Sequence, residues 1–248
     1  MFRFISDFRV YLALLALSFA FAVPAGAKDR RTGPPVLRWQ EGAPECECTL
    51  EKTKDGFFRY SLGYETLHVS LSLDNQELEK TRRTAGHVFG VILTIRNRGT
   101  IPVKLYPGYM TLELEQHFRV RLRSEDPDSF AYRLQDDSDE LVHQSERELK
   151  KHPERKQAIE DRLKEHEKFV TEWLQFVSTQ SLRDVTLDTG QPEVTGWIFF
   201  DTKTKWKGSW KKQEDFILRV PTDNVIFEIP FTLPPLGEEP ELRQRSQE

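Results

Sequence analysis

Two stretches and one tripeptide have the residue types for chemistry. Lys203, Lys205, Lys207, Lys211 and Lys212 surround Trp206 and Trp210, with Gly208-Ser209 as a turn between them. Tryptophan brings buried area with a polar handle, and lysine brings long-range attraction, so this loop suits an anionic surface: lipid headgroups, a polyanionic glycan or an acidic protein. The same residues also fit a hairpin whose tryptophans fold back onto the protein while the lysines stay solvated. Cys46-Glu47-Cys48 offers a second chemistry. Two thiolates could hold copper(I) or zinc with further ligands, or shuttle a disulfide; two residues apart on a strand, they could equally share a face or bridge to each other. Asp188-Thr189-Gly190 has the residues of an aspartic-protease motif, but that chemistry needs two carboxylates sharing a proton. Asp, Thr and Gly are also ordinary turn residues, and the turn is the preferred reading. His68, His87, His117, His143, His152 and His166 are scattered, with no paired metal spacing. No phosphate loop or nucleophile elbow is present. Neither catalytic residues, nor a metal site, nor a cofactor is expected.

The ends and the composition bound the role. Arg3 and Arg9 precede an apolar run, Tyr11 to Val23, and Ala25-Gly26-Ala27 fits a small-x-small cleavage site. Residues 1–27 therefore read as a signal peptide, with an uncleaved anchor as the alternative, and the mature chain begins at Lys28. No later stretch is apolar enough to span a bilayer. The expected location is extracytoplasmic, periplasmic or secreted. The net charge of −4 gives no basic excess for neutralising phosphates, so a nucleic-acid role is not indicated. With only 2 cysteines the protein is no disulfide scaffold and must be held by its core.

The elements that would position these residues are mostly strands. Residues 28–45 read as an extended lead-in in which Val36 to Trp39 could pair at a sheet edge. Phe57 to Ser61 and Leu67 to Leu73 read as strands, the latter alternating Leu67, Val69, Leu71 and Leu73 with His68, Ser70 and Ser72. Val88 to Leu114 reads as a β-meander around which the rest packs, with turns at Asn97-Arg98-Gly99-Thr100 and Pro107-Gly108. Phe118, Val120 and Leu122 alternate with Arg119, Arg121 and Arg123, which puts three arginines toward solvent or a partner. From Ser138 to Val177 the period is helical, broken at Pro153, giving a helical hairpin or bent helix inserted at 137–178. Strands return at Val194 to Asp201, Phe216 to Val220 and Val225 to Ile229, and residues 234–248 read as a disordered charged tail. Short strands at this spacing predict a mainly β fold, a sandwich over residues 46–233.

The run Val91 to Gly99, then Ile101-Pro102-Val103, resembles the strand, Asn-x-Gly, strand core of telokin-like immunoglobulin-type domains of exported bacterial proteins. Leu187 to Gly190 followed by Gly196 to Phe200 resembles their returning strand, with Phe216 to Val220 as the closing one. The resemblance implies an immunoglobulin-like β-sandwich with an α-helical insertion, acting as a non-enzymatic binding or structural module. The expected partner is another envelope protein or an anionic envelope surface, met through Lys203 to Lys212 or the helical insert. The alternative is a metal-binding or thiol-redox protein using Cys46 and Cys48.

Overall fold

The computed structural model describes residues 33–44, 46–54, 58–73, 88–115, 120–201 and 213–233. The chain divides into Met1–Gly33 and Pro34–Glu248, and every strand and helix named here lies in the second unit. The strands are β1 (Val36–Arg38), β2 (Glu47–Lys52), β3 (Phe58–Tyr64), β4 (Leu67–Leu73), β5 (Val88–Asn97), β6 (Val103–Leu105), β7 (Thr111–Leu114), β8 (Arg121–Glu125), β9 (Val185–Leu187), β10 (Glu193–Asp201), β11 (Glu214–Pro221) and β12 (Ile226–Leu233). All but β6 and β9 join one 10-stranded sheet in the order β1-β12-β11-β7-β8-β10-β5-β4-β3-β2. The sheet is antiparallel except where β1 runs parallel to β12.

The sheet curls on itself. β8 is the hinge strand: Arg121 to Arg123 pair with β7, whereas Ser124 and Glu125 pair with β10. The two ends then approach each other. Trp39, just past β1, donates its indole N–H to the Thr49 carbonyl of β2 at 3.3 Å. Its ring meets Tyr60 of β3 at 5.2 Å, and Tyr60 meets Phe231 of β12 at 6.4 Å. Alternation in each strand sends Leu62, Val69, Leu71, Leu93, Ile95, Phe200, Leu218, Phe227 and Ile229 into one continuous core inside this curl.

The meander expected over Val88 to Leu114 does not form. β5 lies between β4 and β10, β6 pairs with β9 in a separate two-stranded ribbon, and β7 lies between β11 and β8. The turn after β5 is closed by Asn97, whose buried side chain bonds Ile101 and Leu187 as well as Gly99, so the chain is steered toward β9 and not back along β5. A single turn of 3-10 helix, Pro107–Tyr109, then separates β6 from β7.

Between β8 and β9 the chain makes two antiparallel helices, α1 (Pro127–Lys151) and α2 (Lys156–Gln180), joined by the 3-10 turn Pro153–Arg155. α1 begins well before the expected start at 137. Asp126 caps it by accepting from the N–H groups of Asp128 and Ser129, and Pro127 occupies its first turn. The bases of both helices pack on the outer face of the sheet, where Phe130, Leu134 and Val177 bury against Val88 and Phe199. Arg133 pairs with Glu125 at 2.8 Å and Asp201 at 3.2 Å, and Arg183 grips Asp128 at 2.8 and 3.0 Å, so ion pairs clamp the same base.

The exit from α2 runs directly over β10. The Leu182 N–H donates to the Trp197 carbonyl at 2.8 Å, and a β-carbon on Gly196 would lie 2.7 Å from the Leu182 nitrogen and 2.9 Å from its Cα. Backbone cannot yield as a flexible side chain would. Gly196→Ala is therefore expected to destabilise the protein by roughly 3 kcal/mol, the upper end of overpacking costs. Gly108→Ala, which meets nothing within 4 Å, should leave stability nearly unchanged. Urea unfolding of the two variants checks this, and equal midpoints would show that the crossing tolerates a side chain.

Candidate functional site

The outer face of β2-β3-β4-β5-β10 carries three cross-strand rows fixed by register. The middle row is Thr49, Ser61, Ser70, Thr94 and Thr195, one hydroxyl from each of five neighbouring strands. Neighbouring strands lie about 4.8 Å apart, so the row extends across roughly 19 Å. Ser61 and Ser70 share a hydrogen bond of 3.0 Å between their hydroxyls, and Thr94 and Thr195 share one of 2.9 Å. Each side chain in the row is exposed or half-buried.

A charged row flanks it on one side: Glu47, Gly63, His68, Arg96 and Glu193. Arg96 pairs with Glu193 at 2.5 Å. His68 lies 3.8 Å from Glu47 and takes the room that a side chain on Gly63 would need, since a β-carbon there would meet its ring at 2.9 Å. Partial burial, aided by Arg98 and Arg96 and opposed by Glu47, pushes the His68 imidazole below its ordinary pKa. At neutral pH its contact with Glu47 is thus between a neutral ring and a carboxylate. Beyond this row the turns at 97–99 and 189–192 enclose an open notch of about 450 Å³ lined by Arg96, Asn97, Arg98, Gly99, Thr189 and Pro192.

On the other side lie Glu51, Arg59, Ser72, Ile92 and Trp197. Trp197 is half-buried and belongs to an aromatic chain that climbs onto the hairpin. It stacks beside Phe199 at 6.2 Å and meets Phe176 edge-on at 5.5 Å; Phe176 meets Trp173 at 5.3 Å, and Trp173 meets Phe169 at 6.3 Å. Gly90 makes this possible, because a β-carbon there would lie 3.1 Å from the Trp197 ring and 3.2 Å from that of Phe199.

The other half of the sheet presents a different outer surface. Arg219 donates to Glu228 at 2.6 Å and also bonds Glu113; Arg121 reaches Glu113 at 3.0 Å, and Arg38 reaches Glu115 at 3.2 Å. These pairs form a ladder of alternating charge across β1, β12, β11, β7 and β8. Of the three arginines expected on the solvent side, Arg121 and Arg123 are exposed as expected, and Arg119 lies outside the described residues.

The sequence-predicted site residues fare unevenly. Lys203, Lys205, Trp206, Lys207, Trp210, Lys211 and Lys212 all lie outside the described residues. Cys46 and Cys48 are bonded to each other. Cys48 is 6% exposed and sits in the main core, so as a leaving thiolate it would be poorly solvated. Neither sulfur of a disulfide is the thiolate that a soft metal needs. Among the described residues no group of three or more His, Cys, Asp or Glu side chains could hold a metal ion. Asp188 is a turn residue: its carboxylate accepts from the N–H groups of Gly190 at 2.8 Å and Gln191 at 3.0 Å. The hydroxyl row has no signal in the sequence. Alternation alone exposes Ser70 and His68 on β4, but which residues of other strands stand beside them is a matter of register.

No protein-family model, curated protein or solved structure matches the chain.

His68 gives a direct check on the electrostatics of the face. Its imidazole should titrate below the ordinary histidine value of about 6.5. Between the two values the unfolded chain holds a proton that the folded chain does not, so His68 makes stability fall as pH drops through this window. NMR titration of the ring signals tests the first expectation, and loss of that pH dependence in His68→Gln tests the second. A midpoint above the ordinary value would mean that Glu47 outweighs burial and the arginines.

Proposed function

We propose that this chain is an exported, non-enzymatic binding module of a cell envelope, with the helical hairpin as one contact surface and the Lys203–Lys212 loop as the other. The observation that carries the reading is the shape of the hairpin. Each helix has 25 residues, about 37 Å of length, yet the cluster shared with the sheet draws only on Phe130, Ala131 and Leu134 of α1 and on Trp173, Leu174, Phe176 and Val177 of α2.

Beyond that base the seam between the helices is thin. Its buried positions in α1 are Ser138 and Ser145, and Arg162 of α2 reaches across to Ser145 at 3.1 Å and Glu148 at 2.9 Å. The His166 Nε2 is buried there without a hydrogen-bond partner among the described residues. Of the apolar side chains outside the base, α2 buries Ile159 and Val170, so over most of its length the hairpin is held by a few buried groups and polar contacts, far fewer than at the aromatic base. Presentation of a long, charged surface to a partner is a use that accounts for it. The localisation rests on the Arg-flanked apolar leader and the Ala25-Gly26-Ala27 site. The immunoglobulin-like reading belongs to the same proposal, supported by the Asn97-Arg98-Gly99 turn and by the returning strand through Gly196. The partner would be an envelope protein or an anionic envelope surface.

The test compares the parent with two variants. In one, residues 142–165 are replaced by a short Gly-Ser turn, which keeps the aromatic base; in the other, Trp206 and Trp210 are both alanine. Cross-linking capture from the native envelope, followed by affinity measurement with the purified partner, should show saturable binding by the parent and loss in one of the variants. Equal binding by all three, or no saturable partner for the parent, would overturn the reading.

A further inference from the structure

We infer that the outer face of β2-β3-β4-β5-β10 binds a neutral glycan chain laid along its hydroxyl row, a function that goes beyond the proposed hairpin and loop contacts and depends on neither. The starting observation is compositional. Asp, Glu, Lys and Arg make up 31% of the chain, and the other outer surface of the same sheet is a ladder of paired charges. Yet all five positions of the middle row, from Thr49 to Thr195, carry short uncharged hydroxyls. Thr–Thr and Ser–Ser pairs across strands do stabilise a sheet. Stability alone does not call for five in succession where ion pairs serve on the neighbouring face.

The row has unused hydrogen-bonding capacity. A hydroxyl offers one donor and two acceptors. The bonds Ser61–Ser70 and Thr94–Thr195 each consume one donor and one acceptor, which leaves every pair with one donor and three acceptors on the outer face of the sheet. Because no long side chain stands in the row, a ligand can lie against it without displacing one, and little rotamer entropy is lost on contact. Trp197 borders the strip and supplies an aromatic ring of the kind that packs on the C–H faces of sugar rings. Hydroxyl edges and apolar faces are the two surfaces a pyranose chain presents.

Other ligands fit less well. The only large apolar side chains in the three rows are Ile92 and Trp197, both half-buried, too few for the apolar centre of a protein interface. The charges of the flanking rows are Glu47, Glu51 and Glu193 against Arg59 and Arg96, and Arg98 beside His68 balances the remaining one, so the face has no basic excess to attract a polyanion.

The test titrates the full mature chain with neutral hexasaccharides, cellohexaose, chitohexaose and maltohexaose, by calorimetry, with a sulfated oligosaccharide as the anionic control. At least one neutral hexasaccharide should bind, with NMR shifts at the Thr94 and Thr195 methyl groups. Trp197→Ala and the near-isosteric pair Thr94→Val, Thr195→Val should each weaken binding tenfold or more, as expected for groups central to a contact. Melting curves confirm that each variant is folded, and Ser70→Ala serves as a further probe should the Trp197 variant fail to fold. Absence of binding by all three neutral sugars would overturn the inference. So would tighter binding of the sulfated sugar, or binding that survives the threonine pair unchanged. Replacement of residues 142–165, which keeps the aromatic base under Trp197, or alanine at Trp206 and Trp210 should leave this binding intact, which separates its failure from that of the proposed envelope contact.

Discussion

After its longest strand the chain has to leave one half of the curled sheet, and a single buried amide decides where it goes. Asn97 is 2% exposed, and both polar atoms of its side chain are engaged: Nδ2 donates to the Ile101 carbonyl at 2.8 Å and the Leu187 carbonyl at 3.2 Å, while Oδ1 accepts from the Gly99 N–H at 2.9 Å. An amide buried without those partners would cost a few kcal/mol, so the three hydrogen bonds must form together. They join the end of β5, the following turn and β9, which is 90 residues further along and on the far side of the helical hairpin. The two-stranded ribbon β6-β9 exists because of this junction, and through Val103, Leu105 and Leu187 it completes the core within the curl.

The same junction explains how far the fold is legible in the sequence. Alternation places β4, β5, β10, β11 and β12 close to their observed spans, because each strand has one face in the core and periodicity records burial. It also gives the edge pairing near Val36. The asparagine turn is visible as a turn, and a turn between two apolar runs predicts a hairpin that the chain does not make. Local chemistry cannot say whether a side-chain amide bonds only its own turn or also a carbonyl far away in sequence. The start of α1 escapes a periodicity argument for a simpler reason. The capping residue Asp126 and Pro127 are strong signals, and Pro127, Phe130 and Leu134 follow at helical spacing, but the stripe is short because the next buried positions are Ser138 and Ser145. The segment Lys203 to Lys212 stands out by composition and falls outside the described residues. The hydroxyl row has the opposite character: no strand's sequence marks it, and only the alignment of five strands does.

The hairpin and the sheet are coupled where two glycines remove side chains. Gly196 lets the backbone leaving α2 cross β10 in direct contact, and Gly90 clears the space that Trp197 and Phe199 fill. Aromatic rings then run without a break from Phe199 on the sheet through Trp197 and Phe176 to Trp173 and Phe169 on α2. Ion pairs at Arg133 and Arg183 surround this base. The exposed pair Arg183–Asp128 adds little energy by itself, whereas Arg133 with Glu125 and Asp201 is partly buried and ties α1 to β8 and β10.

The two outer surfaces of the curled sheet differ in the side chains they carry. On β1, β12, β11, β7 and β8 alternating charges pair across strands. Glu113 there is held below the ordinary glutamate range, chiefly by its hydrogen bond from Arg219, and the pairing closes the surface onto itself. Such a ladder is a good end state for a solvent face, because each group already has a partner and new contacts would have to break one. On β2, β3, β4, β5 and β10 the ionic pairs Arg96–Glu193 and Arg59–Glu51 lie in the flanking rows, and the centre is left to five hydroxyls, four of them bonded in two pairs, that still have donors and acceptors to spare. A surface that is satisfied in water but keeps unspent, fixed hydrogen-bonding groups loses little when a polyhydroxylated chain replaces that water, since like groups replace like. That asymmetry, more than any single residue, distinguishes a face that only ends a sheet from one that can receive a ligand.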